Sequence, residues 1–320
     1  MNKLLATATF GIALLGEPVE MGSFEHQKTI EDITSKTRNI LELKQKQDHE
    51  KKQKDHEDKI RLIRDAIDGS IDPKETRVLL IWVSEYKYLS WIGWAVPDTR
   101  EMRRLFRTRY GIPSKHIYSV KDKQATKRNI LGMINKVALE TPDDKKIIIY
   151  YSWHWIALDS KWREAKKYAW DYEWYISTYY SDYKYVRVAW KNKPSRKIRI
   201  YYKDQRISKT EIDEAVWNKQ KNLIIVDACY AWALTKNISW NSTIVAASNN
   251  EVALWYSRSL FSWIIMDVIS SGRKNTLWEA VTWSGEEMTD KIREWKSPQN
   301  PLVETKDFKY DIKKEKFTKK

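Results

Sequence analysis

Residues 146–155 read KIIIYYSWHW, and residues 221–232 read KNLIIVDACYAW. Each stretch contains a continuous apolar run, at 147–151 in the first and at 223–226 in the second. Such runs are typical of parallel strands that helices cover on both faces. A histidine follows the first run, and the only cysteine of the chain follows the second. Because sites in open α/β sheets form at the carboxyl ends of strands, both residues are candidate site residues.

These two candidates are His154 and Cys229. A cysteine thiolate is a strong nucleophile, and a neighbouring histidine can serve as its acid–base partner. The alternative for a lone cysteine is a small buried core residue. The position of Cys229 just past a strand end favours the functional interpretation. A single cysteine also excludes an internal disulfide and a zinc site built from cysteines.

The segments around the two strands alternate between strand and helix signals. An apolar strand at 78–81 precedes a helix that starts near Pro97-Asp98 and stops at Tyr110-Gly111. A short strand near 117–120 and a helix N-capped by Thr126 follow. This order predicts a mostly parallel central sheet with helices on both faces. Later segments predict a helix opened by a Ser208–Glu211 capping box, a strand at 243–247, and helices at 260–269 and 276–295.

Composition divides the rest of the chain. Residues 1–21 hold an apolar run too short to span a bilayer, which fits either a signal peptide or a disordered N-terminus and leaves cytoplasmic and exported locations open.

Residues 26–68 are charged, lack Gly and Pro, and predict a long helix that acts as a spacer, or as a weak coiled coil for self-association or a partner helix. The main domain is expected at 75–296, with an insertion at 157–206. A Lys-rich tail at 297–320 is expected to be disordered.

The net charge of +15 raises nucleic acid as a partner, although charge alone does not identify one. Tyr and Lys are dense in 157–206 and could bind nucleic acid by stacking and phosphate contact. A polar β-structured insertion is the favoured interpretation, with a strand at 197–202 in a hairpin. No recognised nucleic-acid motif is present, so no specific nucleic-acid partner is expected.

The two strand ends resemble the caspase-like cysteine peptidases, most closely the metacaspase and bacterial caspase-domain branch. The family pattern YSGHG corresponds to YSWHW at 151–155, and D-x-C-x-S-G corresponds to DACYAW at 227–232. The segment LSW…PD within 89–98 resembles a third family segment. The resemblance covers about 77–285 and implies a caspase-like three-layer sandwich and thiol protease activity.

The resemblance implies a role for each matched residue. Cys229 would attack the scissile carbonyl as a thiolate, and His154 would polarise the thiol and protonate the leaving amine. The backbone N–H groups of Trp155 and Cys229 would form the oxyanion hole. No cofactor is expected. Calcium activation occurs among metacaspases, but no acidic cluster matches a calcium site.

The same resemblance implies a substrate pocket lined by Asp98, Ser152 and Asp227. Two carboxylates there suit an Arg or Lys before the scissile bond, through charge-assisted hydrogen bonds. The alternatives are a helix N-cap for Asp98 and a strand-end cap for Asp227.

The chain departs from the family at glycine positions. Trp153, Trp155 and Trp232 stand where the family has Gly, and indoles there would crowd the site. Gly and Trp together number 26 of 320 residues, about the usual glycine content alone. Some bacterial lineages read the UGA codon as glycine and others as tryptophan, so we hypothesise that many of these Trp are Gly in the living protein. If they are truly Trp, the chain is expected to be a non-catalytic caspase-fold scaffold. A basic nucleic-acid-binding protein is the third class.

Overall fold

The chain forms two units, Met1–Asp58 and Lys59–Lys320. A computed structural model describes residues 24–69, 71–89, 93, 95–152, 155–158, 173–190, 193–202, 205–216, 221–228, 242–247, 259–284, 302–304, 308–311 and 316–319.

The long charged helix predicted at 26–68 is α1, Phe24–Ile67. Its apolar side chains Ile33 and Leu43 are more than half exposed, as expected for a solvated helix. Ile63 and Ile67, in the last turns of α1, are fully buried and belong to the core of the second unit. The boundary between the two units therefore falls inside this helix.

The second unit contains the remaining elements in this chain order: β1 (Arg77–Trp82), α2 (Ala95–Thr108), β2 (Ile117–Lys121), α3 (Lys127–Glu140), β3 (Lys146–Ser152), β4 (Trp155–Leu158), β5 (Glu173–Ser177), β6 (Tyr183–Trp190), β7 (Lys193–Tyr201), β8 (Arg206–Ser208), α4 (Lys209–Ala215), β9 (Lys221–Asp227), β10 (Ser242–Ala246), α5 (Leu260–Ser270), α6 (277–284), β11 (Leu302–Glu304), β12 (Phe308–Asp311) and β13 (Lys316–Lys319).

An eight-stranded sheet lies at the centre of this unit, in the order β13-β12-β11-β10-β9-β3-β1-β2. The five strands from β10 to β2 are mutually parallel. Their connections contain α2, α3 and α4. The predicted α/β class with a mostly parallel sheet is therefore confirmed.

Alternate residues of the strands feed two separate hydrophobic cores. Leu79, Ile149 and Val226 join the first core, which also holds buried residues of α3 and α4. Val78 and Ile225 join the second core, together with buried residues of α2, α5 and α6. Helices therefore cover both faces of the sheet, which explains why its strands are continuously apolar.

Local capping signals act as the sequence predicts. The Thr126 side chain accepts a hydrogen bond from the Asn129 amide at 3.2 Å at the start of α3. Ser208 and Glu211 form a reciprocal capping box at the start of α4. Gly111, just after α2, has a φ of +65°, a conformation that glycine adopts without strain.

Two peripheral regions consist of antiparallel strands. In the predicted insertion at 157–206 and at its two ends, β4, β5 and β8 form one antiparallel sheet, and β6 pairs with β7 as the hairpin that the sequence predicted. The expectation of a disordered tail at 297–320 is wrong for its described residues, because β11, β12 and β13 continue the sheet beyond β10 in antiparallel order. Pairing with an open sheet edge supplies backbone hydrogen bonds that amino-acid composition does not reveal.

In the described part of the chain, no helix is long and apolar enough to cross a membrane.

Candidate active site

The carboxyl ends of β3 and β9 lie side by side. Ser152 and Asp227 are register partners in the two parallel strands, which run about 4.8 Å apart. His154 and Cys229 each follow two residues later. Both lie outside the described residues.

Asp227 is buried at this edge and accepts hydrogen bonds from two serines. Its Oδ1 accepts from the Ser259 hydroxyl at 2.5 Å, and its Oδ2 accepts from the Ser262 hydroxyl. Removal from water raises the pKa of the Asp227 carboxyl to about 6, against 3.8 for an ordinary Asp. Both hydroxyl donors come from the start of α5. The alternative of a strand-end cap stays a prediction, because residues 229–241 lie outside the described part of the chain.

Asp98 lies in the first turn of α2 and is fully buried. Its Oδ2 accepts a hydrogen bond from the backbone amide of Ser259 at 2.9 Å. Ser259 therefore joins both carboxylates, through its amide to Asp98 and through its hydroxyl to Asp227. The alternative of a helix N-cap for Asp98 is wrong, because α2 already begins at Ala95.

Tyr150 completes the hydrogen-bonded cluster. Its hydroxyl lies 2.7 Å from the Ser262 hydroxyl, and its side chain is fully buried. Burial raises the pKa of Tyr150 well above its usual value, and the charges of Asp227 and Asp98 raise it further. Tyr150 thus stays a neutral phenol. Ser152, two residues on in β3, is also fully buried.

The structure therefore brings the three predicted pocket residues, Asp98, Ser152 and Asp227, to one sheet edge. Sequence reasoning missed Ser259 and Ser262, which lie more than thirty residues from Asp227 along the chain. A signal for Ser262 was present, since it is a buried serine in the otherwise apolar run LFSWII of α5.

Two buried carboxylates in one cluster give the site a capacity for a cation. Asp227 accepts from the Ser259 and Ser262 hydroxyls and from the Ser262 backbone amide in the first turn of α5, and none of these donors carries a full positive charge. A guanidinium or ammonium group is the complementary partner for such a site. Among the described residues, no group of three or more His, Cys, Asp and Glu side chains is arranged to hold a metal ion.

The backbone φ angles show whether any described Trp stands in a conformation that favours Gly. Among the described residues other than glycine, only Asp122 and Asp144 have a positive φ, so no described Trp adopts a conformation that favours Gly. Trp155 begins β4 and pairs with Ile176. Trp153 and Trp232 lie outside the described residues, so the recoding hypothesis stays a prediction.

No protein-family model matches the chain, and no curated protein matches it. Among solved structures, the chain is similar to protein GSU0716 from Geobacter sulfurreducens. The TM-score is 0.46 at 10% identity, over 65% of this chain and 88% of that one. A likeness at this level carries no argument about function. The resemblance to caspase-like peptidases therefore stays a prediction that rests on the residues themselves.

Proposed function

We propose that this protein is a cysteine-type endopeptidase that cleaves after Arg or Lys, with Cys229 as nucleophile and His154 as acid–base partner. The observation that carries the proposal is the register of β3 and β9. Ser152 and Asp227 are register partners on neighbouring strands, and His154 and Cys229 each come two residues after them in the sequence. Adjacent parallel strands deliver two such side chains to one site.

The proposed reaction has two stages. The Cys229 thiolate attacks the scissile carbonyl carbon, and the carbonyl π electrons move onto oxygen, where the N–H groups of residues 155 and 229 stabilise the charge. The C–N bond then breaks, and imidazolium His154 gives its proton to the leaving amine, which leaves a thioester on Cys229. In the second stage, neutral His154 takes a proton from a water molecule. The resulting hydroxide attacks the thioester and releases the acid and the thiolate.

Specificity for a basic residue is supported by the buried cluster. Asp98 and Asp227 lie at the same sheet edge and are bridged by Ser259. An ionised Asp227 would gain a cationic partner when Arg or Lys of the substrate enters. Burial raises the pKa of Asp227 to about 6, and a cation that enters beside it would lower this pKa and favour the ionised carboxylate.

A peptide-cleavage assay tests the proposal. A triple variant carries Trp153→Gly, Trp155→Gly and Trp232→Gly. It would be compared with the protein that has Trp at these positions, on fluorogenic peptides that end in Arg, Lys or Asp. We expect cleavage after Arg and Lys by the triple variant, none after Asp, and loss of cleavage when Cys229→Ala is added. Absence of cleavage by a folded triple variant, or cleavage that survives Cys229→Ala, would refute the peptidase.

Peptide masses of the natively expressed protein decide which chain is relevant. Glycine masses at positions 153, 155 and 232 would restore both family motifs. Tryptophan masses would favour the non-catalytic scaffold.

A further inference from the structure

The insertion carries a strongly basic β-ribbon. Strands β6 and β7 form a two-stranded sheet of their own. Residues 183–201 contain four Lys and three Arg with no Asp or Glu, so this hairpin contributes +7 to the net charge of +15. Nearly half of the excess charge therefore lies in one hairpin, which the proposed peptidase mechanism does not use.

The base of the hairpin is fixed by buried hydrogen bonds. Arg206 is fully buried, and its guanidinium donates to the Ser177 hydroxyl and to the Asp182 carbonyl, both at 3.2 Å. The Gln205 carbonyl accepts from the Thr178 hydroxyl at 2.7 Å. The residues that flank the ribbon are thus held by hydrogen bonds on both sides.

The register sorts the ribbon residues into two faces of different chemistry. Successive residues of a strand alternate between faces, and opposed residues share a face. The face that we call the Tyr–Arg face holds three cross-strand pairs: Tyr183 with Tyr201, Tyr185 with Arg199, and Arg187 with Lys197. The other face is mainly aliphatic and holds Lys184 with Ile200, Val186 with Ile198, and Val188 with Arg196.

Exposure of the described side chains agrees with this division. Arg187 on the Tyr–Arg face is exposed, whereas Ile200 on the aliphatic face is half-buried. A ribbon whose register groups aromatic and cationic residues on one face, with Arg187 of that face exposed, provides an interaction surface.

We propose that the Tyr–Arg face binds single-stranded nucleic acid without sequence preference. Arg and Lys neutralise backbone phosphates, and tyrosine rings provide stacking surfaces for unpaired bases of any identity. Cations alone would be enough for an acidic polypeptide. Three tyrosines interleaved with three cations on one face favour a partner that has both negative charge and flat rings. This binding is independent of the proposed peptidase.

Fluorescence anisotropy with the full chain and a labelled 20-nucleotide oligo-dT tests the proposal. We expect the affinity to fall with salt, with a slope of log K against log salt between about −2 for the three face cations and about −5 for all seven cations of the hairpin. Tyr185→Leu should weaken binding about fivefold or more with an unchanged slope. Tyr185→Phe should bind as the wild type does.

Two charge-matched double variants isolate the face. Arg187→Gln with Lys197→Gln removes two cations from the Tyr–Arg face, and Lys184→Gln with Arg196→Gln removes two from the aliphatic face. The first should weaken binding at least several-fold more than the second and reduce the salt slope by about 1.4. Circular dichroism checks that both variants fold, and Cys229→Ala should bind normally.

Three results would overturn the proposal. The first is no binding at 50 mM salt with micromolar protein. The second is equal loss from the two double variants. The third is competition by polyglutamate as strong as by unlabelled oligo-dT, combined with no effect of Tyr185→Leu, because this would describe a general polyanion contact.

Discussion

Strand β3 begins at a buried cation and ends beside buried carboxylates, and the two ends are stabilised in different ways. At its first residue, Lys146 is 1% exposed, and its Nζ donates to the carbonyls of Ala66 and Ile67, each at 2.9 Å. These are the last carbonyls of α1, which carry the partial negative charge of a helix C-terminus. Burial lowers the pKa of Lys146 to about 8.

At the other end of β3, the hydroxyls that donate to the Asp227 carboxylate are neutral, and burial raises its pKa. The difference lies in what each buried charge joins. Lys146 donates to the last carbonyls of α1 and therefore ties that helix to the sheet. Asp227 accepts from the hydroxyls of Ser259 and Ser262 and from the Ser262 backbone amide, and therefore ties the start of α5 to the opposite edge of the sheet.

Lys146→Met breaks the lysine end of this comparison and has the largest expected effect. Methionine has similar length but no donor, so two buried carbonyls lose their hydrogen bonds. We expect the free energy of unfolding at pH 7 to fall by about 2–4 kcal/mol. Denaturant unfolding measures the change.

Lys145→Met is the matched control for this variant. Lys145 is the neighbouring residue, and its partly exposed side chain pairs with Glu75. Exposed pairs contribute little, so the unfolding midpoint should hardly move. Equal effects of the two variants would contradict the structural role of Lys146.

The carboxylate end predicts a pH dependence of stability. The folded-state pKa of Asp227, about 6, lies above its unfolded value near 3.8, so the folded protein holds the proton longer. This group therefore stabilises the fold fully below about pH 4, and that stabilisation is lost as the pH rises through about 6.

Asp227→Asn isolates this effect. We consider the free energy of unfolding of the variant minus that of the wild type. We expect this difference to rise by up to about 3 kcal/mol from pH 4 to pH 7. Unfolding curves of both proteins at matched pH values measure the difference. A flat difference would mean that the pKa is not raised, and an opposite slope would mean that a cation already neutralises Asp227 in the free protein.

Much of this fold follows from local sequence signals, because those signals report burial and capping directly. The apolar runs of β3 and β9 predicted strands covered on both faces, and Thr126 and Ser208 predicted the starts of α3 and α4. The strand tail was missed because its order comes from pairing with β10, a contact that Lys-rich composition does not reveal.

The candidate site was only partly predictable. Asp98 and Asp227 were found because each stands near a motif, but the residue that bridges them was not. Ser259 reaches the site only when α5 packs against the sheet, and the distance along the chain gives no hint of that contact. Local pattern therefore locates the strand ends, whereas the hydrogen bonds among their side chains depend on tertiary packing.

Ser262→Ala sharpens the comparison with the smallest expected effect. It removes one hydroxyl that donates to Asp227 and contacts the Tyr150 hydroxyl, so stability should fall by about 1 kcal/mol. Because that hydroxyl favours the ionised carboxylate, its loss should raise the Asp227 pKa above about 6 and extend the pH-dependent window upward.

Ser284→Ala is the control, since Ser284 is equally buried but donates to the Val281 carbonyl at 2.6 Å. Both variants should lose similar stability, and only Ser262→Ala should shift the window. A shift in both, or in neither, would show that Ser262 fills space in α5 and does not tune the carboxylate.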